Sequence, residues 1–257
     1  MAAAFFDLDR TLISGASLFP FAVEARRSGM VSNTELLKWG ASALSFKLLG
    51  DRGDAIDQVR VDLLAKIAGV RVEELAEIGR EMLPTLVNEV RPESKKLVKM
   101  HHEAGRDTWI VSAAPHEIVV ALADALGMTG AIGTKGRVVD GHYTDELDGP
   151  FVYGPGKAKA ITSLAAERSY DLSRCYAYSD SISDLPMLEC VGHPVVVNPD
   201  GALERVARDR PWPMVTFARR TKRAVAWGSL ATAGLGMVSS AYAIGRRQGR
   251  ALAEKAR

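Results

Sequence analysis

Apolar and polar positions along the chain alternate between two rhythms. Short apolar runs of strand length, Ala3-Ala4-Phe5-Phe6, Thr108-Trp109-Ile110-Val111, Arg174-Cys175-Tyr176-Ala177-Tyr178 and Pro194-Val195-Val196-Val197, each stop at small or polar residues. Ala131-Ile132-Gly133-Thr134 adds a further short strand. Between these runs, apolar residues at helical spacing predict helices over 19–27, 34–49, 55–67 and 72–86, then 91–103, 116–126 and 157–168. Gly29, Gly50-Asp51-Arg52-Gly53, Gly69 and Gly105 punctuate them. Residues 137–144 predict a hairpin across a tight Asp140-Gly141 turn.

Single strands alternating with helices predict an α/β fold with a doubly wound parallel sheet. The helical block between the first two strands predicts an inserted lobe over the carboxyl end of the sheet, where open α/β folds bind ligands. The expected division is a core of 1–15 and 88–215, a helical cap of 16–87 and a C-terminal tail of 219–257. With 257 residues, 47% hydrophobic, 25% charged and a net charge of +2, the chain gives no case for nucleic acid as a partner. Its two cysteines, Cys175 and Cys190, form no CxxC and no Cys/His cluster, which argues against a disulfide framework or a zinc site. The N-terminus carries no basic region or long apolar stretch, so no secretory signal is expected and the catalytic part is expected in the cytoplasm.

Polar residues collect where strands end. In Phe5-Phe6-Asp7-Leu8-Asp9-Arg10-Thr11-Leu12, a strand frays into two carboxylates that can both face one point beyond its end. Such a pair offers a cation site, a nucleophile and a proton carrier. Ser112 closes the 108–111 strand ahead of Ala113-Ala114-Pro115, where the next helix presents free amides. Lys157 opens a helix after Gly154-Pro155-Gly156, and Asp180 and Asp184 follow the strand ending at Tyr178. Singly, these are also turn, cap or surface residues. Four carboxylates, a hydroxyl and an ammonium converging on one sheet edge point to a cation, an anionic ligand and phosphoryl transfer.

At these residues the chain resembles the haloacid dehalogenase-like (HAD) superfamily, in its subfamily IB, the phosphoserine phosphatase-like branch with a helical cap. DLDRTL looks like the first motif, Val111-Ser112 the second, Lys157 the third and YSDSISDLPML the fourth. The resemblance spans about residues 4 to 215 and implies a Rossmann-like core and a Mg²⁺-dependent phosphatase acting on a small phosphorylated substrate. By it, Asp7 would be the nucleophile forming an aspartyl-phosphate, and Asp9 the general acid and base. Asp7, the backbone carbonyl of Asp9 and Asp180 would hold Mg²⁺, with Asp184 a second-shell or water-mediated partner. Ser112 and the Ala113 amide would hold phosphoryl oxygens, and Lys157 would offset charge and keep Asp7 ionised. Cap residue Arg60 would bind a carboxylate or second phosphate of the substrate. The sequence departs from phosphoserine phosphatases at Ile13-Ser14-Gly15-Ala16, which lacks the acid that grips a substrate ammonium. It also has Ser112-Ala113-Ala114 where relatives often have glycines.

Two other classes stay open: a membrane-tethered phosphatase of a lipid or sugar phosphate, and a catalytically idle binding or regulatory protein. The first is raised by residues 224–245, an uncharged stretch between Arg219-Arg220-Thr221-Lys222-Arg223 and Arg246-Arg247 whose length is near the roughly 20 residues that span a bilayer. Small residues recur at Ala224, Gly228, Thr232, Gly236 and Ser240, as on a close helix-packing face. Three readings fit the stretch: a membrane anchor holding the catalytic domain at the inner face, a helix buried on the core or in a homodimer, and a surface helix or tail.

Overall fold

The computed structural model describes residues 1–29 and 67–217. Among them, six strands form one parallel sheet in the order β3-β2-β1-β6-β7-β8, and β4 and β5 form a separate hairpin. The strands are β1 (Ala3–Asp7), β2 (Asp107–Pro115), β3 (Gly130–Thr134), β4 (Gly136–Val139), β5 (His142–Leu147), β6 (Tyr176–Ser179), β7 (His193–Val197) and β8 (Met214–Val215). The helices are α1 (Leu18–Arg27), α2 (Val72–Glu89), α3 (Pro92–Glu103), α4 (His116–Ala125), α5 (Pro155–Arg168), α6 (Leu185–Glu189) and α7 (Gly201–Asp209).

Every residue of β1 is buried because the strand is central and covered on both faces, which also explains its unbroken apolar run. Alternation divides its two phenylalanines. Phe6 joins Leu8, Ile110, Ile118 and Leu122 on one face, together with Leu75, Ile78, Met82 and Leu86 of α2. Phe5 joins Trp109, Val111 and Ala177 on the other, packed with Ile161 of α5, Met187 and Leu188 of α6 and Leu203 of α7. The described part of the segment expected as the cap therefore shares an apolar core with the sheet. The expected helices at 34–49 and most of 55–67 lie outside the described residues, as do Arg60 and the tail stretch 224–245. No helix among the described residues is long and apolar enough to cross a membrane.

Three local expectations are corrected. β2 does not stop at Ser112 but runs on to Pro115, with its register against β3 shifting between Val111 and Pro115. The small residues that spell a turn stay extended in β2, which re-pairs with β3 at Pro115, the residue just before α4. The sheet does not end with β7, since the two-residue β8 pairs with Val196 and Val197. Helix α5 begins at Pro155, before Lys157, so the lysine sits inside its first turn. The predicted hairpin is present, with Asp140 and Gly141 both at positive φ (48° and 77°), as a tight two-residue turn requires.

Candidate active site

The parallel register sets the carboxyl ends of β1, β2 and β6 side by side. Asp7 lies opposite Val111, so Ser112 is the next residue along, and Phe6 pairs with Tyr178, so Ser179 and Asp180 lie just beyond on the other flank. After Asp7 the chain makes one wide turn over Leu8–Leu12, closed by the Ile13 amide donating to the Leu8 carbonyl at 3.0 Å. Arg10 occupies the left-handed region there, at φ 59°.

Lys157 is the centre of the cluster. Its Nζ donates to Asp7 Oδ1 at 2.5 Å and to Asp184 Oδ2 at 2.8 Å, and all three groups are buried. The start of α5 packs closely on the segment before it: a Cβ on Gly156 would lie 1.8 Å from the Phe151 carbonyl oxygen, so only glycine fits beside Lys157. Ser179 Oγ donates to Asp184 Oδ2 at 2.7 Å, which fixes the second anchor. Asp180 is held from the first motif instead, with Oδ2 2.6 Å from Arg10 Nη2 and Oδ1 accepting from Thr11 Oγ1 at 3.4 Å.

Asp9 Oδ1 accepts from the Ser17 amide at 2.8 Å. Ser112 Oγ accepts from the Ala114 amide at 3.2 Å, so its hydroxyl shapes its own loop; Ala113 follows it, half-buried. The structure thus joins Asp7, Lys157 and Asp184 by direct contact and brings in Asp180 through Arg10 and Thr11. Ser112 is adjacent by register.

Burial and mutual repulsion dominate the electrostatics. Asp7 is pushed up to about 8, first by burial and then by Asp184, Asp180 and Asp9, with Lys157 pulling the other way. Burial outweighs the pull of Lys157 toward the ionised form. Burial works against the Lys157 charge too, but Asp184 and Asp7 outweigh it and hold the ammonium above its ordinary value. Asp180 is pushed up to about 6 by burial, against the opposing pull of Arg10. Asp9 is raised by burial despite the Ser17 amide.

No group of three or more His, Cys, Asp and Glu side chains among the described residues is spaced to hold a metal ion. The donor set inferred from the motifs is smaller: two carboxylates and a backbone carbonyl. Such a set suits Mg²⁺, which keeps several waters. The raised carboxyls fit it as well, because four acids crowd beside two basic groups and a divalent cation would relieve the excess.

Several residues at the site escaped the sequence reading. Glu89, the last residue of α2, accepts a hydrogen bond from Ser14 Oγ. It therefore brings a carboxylate to the stretch 13–16 that has none of its own. Pairing of Ile13 with Val90 and donation from the Ser14 amide to the Glu89 carbonyl at 2.8 Å hold it there. Asp200 caps α7 through the Ala202 and Leu203 amides and also accepts from the Ile182 amide at 2.8 Å, bracing the 180–184 turn. Asn198-Pro199-Asp200-Gly201 is a legible N-cap signal, whereas nothing local links Ser14 to Glu89.

The model of the haloacid dehalogenase-like hydrolases matches residues 4–189. The chain is 44% identical over 218 residues to a phosphatase of Mycobacterium tuberculosis named as probable, covering 84% of this chain and 76% of that one. It is 37% identical over 253 residues to the phosphoserine phosphatase SerB1 of the same organism, covering 97% and 82%. A histidinol-phosphatase of Neisseria meningitidis is 34% identical over 222 residues, covering 83% and 98%. Among solved structures, a Bordetella pertussis protein of unknown function superposes with a TM-score of 0.73 at 25% identity, covering 83% and 97%. A phospho-aspartyl intermediate analogue of phosphoserine phosphatase shares the fold, with a TM-score of 0.58 at 15% identity over 85% and 94%. The chain belongs to the haloacid dehalogenase-like hydrolase family. Within it, the chain is a phosphatase of the phosphoserine phosphatase-like kind.

Proposed function

We propose that the protein is a Mg²⁺-dependent phosphomonoesterase working through an aspartyl-phosphate on Asp7, with the segment 16–87 as the cap that selects the substrate. The observation that carries this reading is the buried Asp7–Lys157–Asp184 cluster at the carboxyl ends of the strands, with a second, raised carboxyl at Asp9 in the same turn. Asp7, Asp180 and the carbonyl of Asp9 would hold the ion, which when bound supplies positive charge to the phosphoryl oxygens and to the nucleophile.

In the first step an Asp7 oxygen attacks phosphorus and the ester P–O bond breaks. Asp9, whose carboxyl burial shifts toward the protonated form, gives a proton to the departing alkoxide. The Asp9 carboxylate then takes a proton from water as that water attacks phosphorus. Inorganic phosphate leaves and the Asp7 carboxylate is restored. Lys157 stays fixed by Asp184 throughout and offsets charge on Asp7 and the phosphoryl group. Amides following Ser112 receive phosphoryl oxygens, and Ser112 fixes their loop.

The substrate class we favour is a phosphate ester of an amino alcohol. Two relatives are named for substrates of that chemistry, a phosphoserine and a histidinol phosphate phosphatase. Glu89 places a carboxylate beside the turn that carries Asp9. A phosphate-release screen across phosphoserine, histidinol phosphate, phosphoethanolamine, glycerol phosphate and p-nitrophenyl phosphate tests this. Amine-bearing esters should lead, and Glu89→Gln should lower their kcat/KM by about tenfold while sparing p-nitrophenyl phosphate. Equal loss on charged and neutral esters rejects the amine assignment. Release from none of them, with Mg²⁺ present, rejects the phosphatase reading.

A further inference from the structure

Arg10 lies within the first motif but takes no part in the chemistry above. Its backbone sits at φ 59°, a conformation that is costly for a residue with a Cβ and is held here by donation from the Arg10 amide to the Gly15 carbonyl at 3.0 Å. Its side chain is 56% exposed, yet its guanidinium reaches a carboxylate that is only 5% exposed, with Nη2 2.6 Å from Asp180 Oδ2. Thr11 takes the other oxygen at 3.4 Å. Consecutive residues of one turn thus occupy both oxygens of the carboxylate that the proposed site offers to a metal.

The two basic groups of the site are not alike. Lys157 is 4% exposed and anchored by two carboxylates, so it has nowhere to go. Arg10 is more than half exposed on a long stem, always charged, and can return its guanidinium to water at little desolvation cost. A divalent cation and a guanidinium cannot both use Asp180 Oδ2, since their charges repel and they seek the same lone pairs.

We propose that Arg10 is a built-in competitor of the divalent cation. It neutralises Asp180 in the metal-free enzyme and swings into solvent when the metal binds, setting the metal concentration at which the site is assembled. The proposal rests on the metal-dependent reading given above. It makes Arg10 a positioning residue that acts through Asp180.

The test uses the full chain, stripped of metal, in three forms: wild type, Arg10→Lys and Arg10→Asn, the last chosen because asparagine tolerates the left-handed backbone. Titration calorimetry with MgCl₂ should show Arg10→Asn binding roughly 2- to 10-fold more tightly than wild type, with Arg10→Lys between them. Without metal, Arg10→Asn should melt below wild type, and saturating Mg²⁺ should close the gap. Unchanged or weaker Mg²⁺ binding by Arg10→Asn, with circular dichroism matching wild type, overturns the proposal. If all three variants bind no Mg²⁺ while turnover ignores chelator, the metal reading fails and the proposal falls with it.

Discussion

Strands β1 and β6 each contribute to two buried polar clusters, one beyond their carboxyl ends around Asp7 and Lys157, the other on a face of the sheet around His101 and Tyr178. In the second, Arg106 Nε donates to His101 Nδ1 at 2.7 Å, so the other ring nitrogen carries the proton toward the Tyr178 hydroxyl, 2.8 Å away. Phe6 stacks on Tyr178 with ring centroids 4.6 Å apart. His101 is held down to about 4, first by burial and then by Arg106, so it is neutral and its hydrogen bonds are filled. Both clusters contain strongly shifted groups. Only the first gathers like charges that its own basic residues leave unbalanced, at the strand ends where an open α/β sheet binds ligands. A perturbed titration therefore marks a site only when the geometry leaves charge to be met from outside.

Removing one member of each cluster should separate them. Lys157→Met should lower kcat by about 10²- to 10³-fold, because it deletes the fixed positive charge facing the nucleophile and phosphate. Steady-state phosphate release measures it, and a loss below tenfold would demote the lysine to packing. Tyr178→Phe should instead cost about 1–3 kcal/mol of stability by leaving the His101 N–H without its acceptor, with kcat within about twofold of wild type. Denaturant unfolding alongside turnover checks both halves, and a large kcat effect would merge the two clusters into one.

The smallest expected effect is on pH dependence. Asp7, Asp180 and Asp9 have folded-state values above their unfolded ones, so the native state binds more protons between about pH 4 and 8. Stability from these groups accordingly rises as pH falls through that window. Metal-free protein should melt roughly 2–4 °C higher at pH 6 than at pH 8. Saturating Mg²⁺ should flatten or reverse the slope, since binding needs the carboxylates ionised. Thermal melts at both pH values with and without the ion decide this.

What the sequence made legible follows from how local each signal is. DLDRTL, Lys157 and the pair Asp180 and Asp184 are short polar groups at the ends of apolar runs, and each falls where the structure has a strand end or a helix start. The parallel sheet was legible for the same reason. Ser112-Ala113-Ala114-Pro115 was not, because small residues and proline spell a turn, and the pairing of Pro115 with Thr134 of β3 that carries the strand on is a contact with a distant part of the chain. β8 is too short to show any period. Glu89 reaches Ser14 through the pairing of Ile13 with Val90, a contact between distant parts of the chain with no mark in either stretch. The raised value of Asp7 was hidden too: the charges could be listed from sequence, but the burial that outweighs Lys157 exists only in the fold.

The covalent intermediate gives the most direct test. Wild-type protein mixed briefly with Mg²⁺ and a substrate labelled in its phosphoryl group, then quenched in acid and digested, should carry the label on the peptide containing Asp7. That label should be released by hydroxylamine, as expected of an acyl phosphate, and be absent from Asp7→Asn. Turnover with no covalent label, label on another residue, or label persisting in Asp7→Asn would contradict Asp7 as the nucleophile.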